Sequence, residues 1–107
     1  MNNIKEILRA NRLLETYGVL LTPSQKEIME DYYAYNLSFA EIAEQRKISR
    51  SAVADSLKKT LEKLEELETN LHLLMEKEKL EKSIVEIEKI NKDEKIKAIL
   101  NEMKKEV

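Results

Sequence analysis

The side chains in this sequence that are best suited to binding chemistry are cations, and they are concentrated in one stretch. Residues 46–63 contain six Lys or Arg and two Asp or Glu, whereas residues 1–45 and 64–107 each carry a net charge of -3. Lys and Arg grouped on one helix are typical of surfaces that contact nucleic-acid phosphates. Because the whole chain carries only -2, the distribution of charge rather than its total indicates a polyanion-binding surface.

Residues for bond-making chemistry are nearly absent from the sequence. It has no Cys, one Gly and a single His, His72, which falls at an outward position of its helical pattern. Zinc sites need Cys and His clusters and phosphate-binding loops need several Gly, so neither is predicted. The runs of Glu and Lys are typical of solvated helix faces with surface ion pairs. We therefore expect a protein without enzymatic activity, cofactor or metal.

The basic stretch lies within a pattern of helix, turn and second helix over residues 38–64. Ser38 with Glu41 three residues later predicts a capping box at the start of the first helix, and Ser49 is a second N-cap. The apolar residues that follow helical spacing are Phe39, Ile42, Ala43, Ile48, Val53 and Leu57. This spacing is typical of a helix-turn-helix, whose second helix enters a DNA major groove.

The segment LTPSQKEIMEDYYAYNLSFAEIAEQRKISRSAVADSLKKTLEKLEE resembles the last DNA-reading region, region four, of bacterial sigma factors. More closely it resembles the YlxM family of small bacterial helix-turn-helix proteins, and with NRLLETYGVLLT the similarity covers roughly residues 11–74. The resemblance implies an all-α fold, a sigma-region-four-like helix-turn-helix bundle with a long C-terminal helix and a helical tail. It also implies a regulatory role that neighbouring genes link to the signal recognition particle pathway.

The second helix of the motif is the predicted recognition helix. Arg50 at its tip could contact guanine or phosphate, Ser51 either of them, and Ala54 a thymine methyl group. The neighbouring cations would contact phosphates, which fix the register without reading sequence. The predicted DNA-binding residues are Arg46, Lys47, Ser49, Arg50, Ser51, Ala54, Lys58 and Lys59.

Other features of the motif argue against sharp base recognition. Asp55 and Glu62 fall on the presumed groove face, where they would repel phosphates unless Asp55 pairs with a neighbouring Lys. Lys47 stands where such turns commonly have Gly, and Arg46 replaces an apolar residue. The resembled family usually has Gln and Tyr at the positions of Ser51 and Ala54.

The sequence pattern divides the chain into a four-helix domain at 1–64 and a helical extension at 65–107. Thr22, Pro23 and Gln25 predict a capping box with Pro at the first helical position, and Gly18 predicts a left-handed cap at the end of the first helix. The predicted core is Leu20, Leu21, Ile28, Tyr32, Phe39, Ile42, Ile48, Val53 and Leu57.

An apolar stripe continues beyond the motif and predicts one helix over 49–75. The stripe consists of Leu57, Leu61, Leu64, Leu67, Leu71 and Leu74. Its heptad spacing suits a coiled coil, so the stripe could pair with a second chain, which we favour because dimers suit two-fold DNA sites, or the tail could fold back on it. A last helix is predicted behind a cap at Asn91, with Glu94 three residues later.

The composition predicts one domain of long helices in a cytoplasmic protein. There is no Cys for disulfides, no signal-peptide pattern at the start of the sequence, and no apolar run that could insert into a membrane. Two functions remain open: a homodimeric regulator that binds double-stranded DNA, and a helical adaptor that binds protein or structured RNA of the signal recognition particle pathway. A membrane-surface helix is disfavoured because the C-terminal segments are acidic as often as basic.

Overall fold

The computed structural model describes residues 3–107, which form six α-helices and no β-strand, so the predicted all-α fold is confirmed. Two compact units divide the chain between Leu71 and His72. The first unit contains α1 Ile4–Tyr17, α2 Pro23–Met29, α3 Phe39–Arg46 and α4 Arg50–Leu71. A 3-10 turn, Gly18–Leu20, follows α1, and a π-helical turn, Glu30–Ala34, follows α2. The second unit contains α5 Leu73–Ile90 and α6 Glu94–Glu106.

The helix starts in the first unit are fixed by the side chains that the sequence predicts. The Ser38 hydroxyl accepts from the Glu41 N–H at 3.1 Å while the Glu41 carboxylate accepts from the Ser38 N–H at 3.1 Å. Thr22 and Gln25 form the same reciprocal pair at the start of α2. The Ser49 hydroxyl accepts from the first turn of α4 at 3.0 Å. Each box satisfies N–H groups that have no partner inside the helix.

The core of the first unit forms where α4 packs against α1, α2 and α3. Its buried apolar residues are Ala10, Leu13, Leu14, Tyr17, Ile28, Met29, Ile42, Ala43, Val53, Leu57 and Leu64. Four of the nine predicted core residues, Ile28, Ile42, Val53 and Leu57, are therefore buried. Leu21 and Tyr32 are half-buried, whereas Leu20, Phe39 and Ile48 are exposed by 51%, 36% and 39%. The predicted first helix is present as α1, but the predicted core left out its four buried residues, Ala10, Leu13, Leu14 and Tyr17.

The prediction of one helix over 49–75 is wrong, because the helix ends at Leu71. His72 adopts a left-handed conformation with φ 57° and ψ 22°, and α5 begins at the next residue. A left-handed non-Gly residue costs about 1–2 kcal/mol and interrupts the α-helical hydrogen bonds. The boundary between the units thus lies seven residues beyond the expected 64/65 boundary.

Two predicted helix ends also differ from the structure. Gly18 has φ −56° and ψ −30°, so it is right-handed rather than left-handed, because the chain continues into the 3-10 turn. Asn91 ends α5, and the N-cap of α6 is Asp93, whose carboxylate accepts from the N–H groups of the first turn. Asn91 instead accepts from the Asp93 N–H at 3.0 Å and shapes the turn between the helices.

The apolar stripe of α4 is largely used within the first unit. Leu57 and Leu64 are buried, and Leu61 and Leu67 are half-buried. Polar contacts with α1 hold the same region: Arg9 donates two hydrogen bonds to the Glu65 carboxylate, and the Tyr17 hydroxyl lies 2.5 Å from buried Glu68. Of the remaining stripe residues, Leu71 is half-exposed and Leu74 is buried. Much of the stripe therefore packs within this chain rather than standing free for a coiled coil.

Candidate nucleic-acid interface

The turn between α3 and α4 has the hydrogen bonds of a Schellman motif. Lys47 has φ 56° and ψ 44°, the left-handed conformation. The Lys47 N–H donates to the Glu44 carbonyl at 3.4 Å, and the Ile48 N–H donates to the Ala43 carbonyl at 3.1 Å. These bonds satisfy the last carbonyls of α3 and reverse the chain within three residues. Lys47 thus occupies the position where Gly is usual, and its side chain is exposed.

The first turns of α4 have one buried face and one exposed face. Val53 and Leu57 are exposed by only 0% and 4%, so they anchor the helix to the core. Arg50, Ser51 and Lys58 are exposed on the surface, as the helical spacing predicts. Ile48, which was expected to be buried, is 39% exposed, so Val53 and Leu57 hold the recognition helix without full support from the turn.

The predicted cationic side chains differ in whether they form ion pairs. Within residues 3–107, the side chains of Lys47, Arg50 and Lys58 make no ion pair, so their charges face solvent. The Lys59 ammonium lies 3.0 Å from the Asp55 carboxylate, one helical turn earlier, and both side chains are more than half exposed. Such an exposed pair is weak and would open readily near a stronger anion.

Arg46 is engaged inside the first unit rather than free at its surface. Its guanidinium donates from Nε at 3.1 Å and from Nη2 at 2.8 Å to Asp31, and from Nη1 at 2.8 Å to Glu27. The hydrogen bonds to Asp31 and then Glu27 raise the pKa of Arg46 above its ordinary value. The side chain is 27% exposed and joins the end of α3 to the α2 region. Sequence reasoning missed this role, although acidic residues four apart, at 27 and 31, could have indicated a partner for an Arg.

The remaining predicted residues flank the free cations. Ser49 is exposed, and its hydroxyl oxygen caps α4, so its first role is structural. Ala54 is half-buried at the edge of the exposed face. Asp55 and Glu62 are exposed on the same side of α4 as Lys58, so the surface carries both signs. The structure therefore brings the predicted residues to one region, with Arg46 turned inward to other residues.

The described part of the chain offers no cluster of three or more His, Cys, Asp or Glu that could hold a metal ion. Its helices, searched over the same residues, are too short or too polar to cross a membrane.

Two capped helices joined by a three-residue turn, with the second anchored by a buried apolar face, define a helix-turn-helix. The family model described as "Putative helix-turn-helix protein, YlxM / p13 like" matches residues 4–107, and the chain belongs to this family.

Similar proteins occur in species of Pediococcus, Lactococcus and Streptococcus. A "UPF0122 protein" of Pediococcus pentosaceus is 52% identical over 66 residues, which cover 62% of this chain and 58% of the relative. The "UPF0122 protein YofM" of Lactococcus lactis subsp. lactis is 49% identical over 70 residues, 65% of this chain and 63% of the relative. A "UPF0122 protein" of Streptococcus mutans is 46% identical over 70 residues, 65% of this chain and 64% of the relative. The aligned segment thus spans about three fifths of the length of these relatives.

Proposed function

We propose that this protein is a non-enzymatic regulator that binds double-stranded DNA through the turn and the first half of α4. The observation that supports the proposal most is the two-sided character of this helix: Val53 and Leu57 hold its inner side in the core, while Arg50 and Lys58 face solvent without ion pairs within residues 3–107. A recognition helix needs this arrangement, because its outer side must enter the groove while its inner side keeps it rigid.

The free cations set the expected strength of the electrostatic contribution. Lys47, Arg50 and Lys58 would each contact a phosphate, and Lys59 would do so after leaving Asp55. Three to four contacts predict a slope of log affinity against log salt of about -3 to -4, so affinity should fall roughly 100-fold between 50 and 200 mM salt. Arg46 is assigned a positioning role instead, since Asp31 and Glu27 already hold its guanidinium.

Charge reversal on the exposed face of α4 tests the proposal. Titration of labelled genomic duplex fragments at two salt concentrations is expected to give the slope above for each bound chain, and Arg50→Glu with Lys58→Glu is expected to abolish binding. The matched control, Lys82→Glu with Lys92→Glu, changes the net charge equally at exposed residues of the second unit and should bind like the wild type. Equal binding by both double variants, or a slope near zero, would refute the proposal.

A second candidate function is a helical adaptor that contacts protein or structured RNA, in line with the pathway that the family resemblance implies. The exposed carboxylates of Asp55 and Glu62 favour it, because they oppose phosphate binding and could instead contact basic groups of a protein. Asp55→Asn distinguishes the two functions. Duplex affinity should rise several-fold if the surface meets phosphates, whereas retention of a protein in a pull-down should fall if Asp55 contacts a basic partner.

A further inference from the structure

The second unit is a hairpin of two helices with one charged face. Ile84 of α5 and Leu100 of α6 are buried, and they mark the sides on which the helices pack together. Glu88 and Lys104 form an ion pair across the hairpin. Glu88 follows Ile84 by four residues on α5, and Lys104 follows Leu100 by four residues on α6. At 100° per residue, each charged side chain therefore lies about 40° around its helix from the buried one, in the same sense. The ion pair therefore marks one face of the hairpin.

The opposite face of the hairpin is apolar. Turning the other way from Ile84 and Leu100, both helices present mainly large aliphatic side chains, with Glu76 and Glu106 at one end of this face. These residues are Leu80, Ile87 and Ile90 on α5 and Ile96 and Ile99 on α6, exposed by 42%, 40%, 80%, 43% and 61%. They amount to an apolar patch on the order of 400–500 Å², at the upper end of what a monomer usually exposes in one place.

The small core of the hairpin gives this patch significance. From His72 to Val107 the unit has thirty-six residues, of which three large apolar ones, Leu74, Ile84 and Leu100, are buried. Units below about 40 residues usually need a disulfide, a metal or association with another chain. The sequence contains no Cys, and the described residues hold no metal-binding cluster. Covering the apolar face with another protein surface is the remaining means.

We propose that this apolar face, defined by Leu80, Ile87, Ile90, Ile96 and Ile99, pairs with the same face of a second copy to form a four-helix bundle. The charges beside the face fit an identical partner. Each helix places one Lys and, seven residues later, one Glu along the edge of the face: Lys79 and Glu86 on α5, Lys95 and Glu102 on α6.

This edge is self-complementary. Lys79, Glu86, Lys95 and Glu102 together carry no net charge. An antiparallel α5 from the second copy would place each Glu86 beside a Lys79 and would keep the acidic ends at Glu76 and Glu106 apart. Glu102 already contacts Lys105 at 3.0 Å, but both side chains are over two-thirds exposed, so that pair would exchange easily. A nucleic acid or an acidic peptide would instead require a rim of one sign. The occupant that the face fits is thus a second copy of the chain, and the inference does not depend on DNA binding.

Sedimentation equilibrium of the full chain tests the proposal. The wild type is expected at twice its 12.6 kDa chain mass at micromolar concentration. Ile87→Gln with Ile99→Gln is expected to raise the dimer dissociation constant at least 100-fold, because four aliphatic side chains leave the interface. Val85→Gln is the matched control: Val85 is 46% exposed but lies on the side of α5 that bears Glu81 and Glu88, so its dimer should be unchanged.

A second measurement keeps the proposal testable if the double variant folds poorly. Because the sequence has no Cys, a single introduced thiol reports contact without background. Ser83→Cys lies between Ile87 and Ile90 around α5, and the antiparallel register places it next to its own copy, so it should give a covalent dimer with a short bismaleimide. Val85→Cys should not. A wild type that stays monomeric at 100 µM would overturn the proposal, even if it binds some other protein. Equal cross-linking of both Cys variants would also overturn it.

Discussion

Replacing Lys47 by Gly is expected to stabilise the fold while weakening DNA binding, because backbone and side chain of this residue have separate roles. The backbone is left-handed, with φ 56°. That conformation costs an L-residue about 1–2 kcal/mol, whereas Gly adopts it freely but loses about 0.5–1 kcal/mol through its more flexible unfolded state. The net gain is roughly 0.5–1 kcal/mol, which raises the melting temperature of a domain of this size by about 2–6 °C.

Lys47→Ala separates the two effects, because it removes the same charge but keeps the cost of the left-handed backbone. Both variants should lower the magnitude of the salt slope for duplex binding by about 0.9, the value for one phosphate contact. Only Lys47→Gly should melt at a higher temperature than the wild type. The assays are thermal unfolding followed by circular dichroism and duplex titration at several salt concentrations.

Either assay can refute the reasoning about Lys47. If Lys47→Gly is no more stable than Lys47→Ala, the turn does not carry the backbone cost inferred from its dihedral angles. If neither variant changes the salt slope, the Lys47 ammonium does not contact a phosphate. In that case, the proposed interface would have to be confined to Arg50, Lys58 and Lys59.

Three further predictions concern residues that hold the first unit together. Arg46→Ala should destabilise the first unit by about 1–3 kcal/mol, because Asp31 loses its charged donor. It should also lower duplex affinity without changing the salt slope. Arg46→Lys should recover part of the stability. A lower slope would instead make Arg46 a phosphate contact. Thr60→Val should stabilise the fold by about 1 kcal/mol in urea titrations, because the buried Thr60 hydroxyl has no hydrogen-bond partner within residues 3–107. The Ser38 backbone hydrogen bond, and after it the Ser38 side-chain hydrogen bond, lower the pKa of Glu41 below its ordinary value of 4.5. The stabilisation by the Glu41 carboxylate is therefore complete above pH 4.5 and is lost as the pH falls through the lowered pKa. Melts at pH 6 and pH 3 should therefore show the advantage of the wild type over Glu41→Gln shrinking at the lower pH, and an advantage that grows would contradict it.

The parts of the fold that sequence reasoning predicted depend on neighbours within four residues. Capping at Ser38, Thr22 and Ser49 requires a hydroxyl at one position and a backbone N–H two or three residues later, so the local pattern is sufficient. The burial of Val53 and Leu57 follows from helical spacing in the same way. These local rules were enough to identify the helix-turn-helix and the exposed side of α4.

The parts that it missed depend on partners far along the chain. Arg46 reads as a surface cation until the fold brings Asp31 and Glu27 beside it. The heptad spacing of Leu57 and Leu64 indicates an apolar helix face but cannot say which helix covers it, and here α1 and α2 pack against α4. The break at His72 has no Gly or Pro to announce it, so no local rule could have placed it.

The proposed functions place two surfaces of opposite character on one chain: a cationic face on α4 and an apolar face on α5 and α6. Pairing through the apolar face would give each complex two recognition helices, so the second would bind its half-site as an intramolecular step. The salt slope of the dimer would then be about twice that of one chain, near -6 to -8. Because Ile87→Gln with Ile99→Gln changes no charge, it should return the slope to the value of one chain while leaving the cationic face intact. If the variant is shown to be monomeric and its slope stays near -6 to -8, pairing through the apolar face does not contribute to DNA binding, because all the phosphate contacts then come from a single chain.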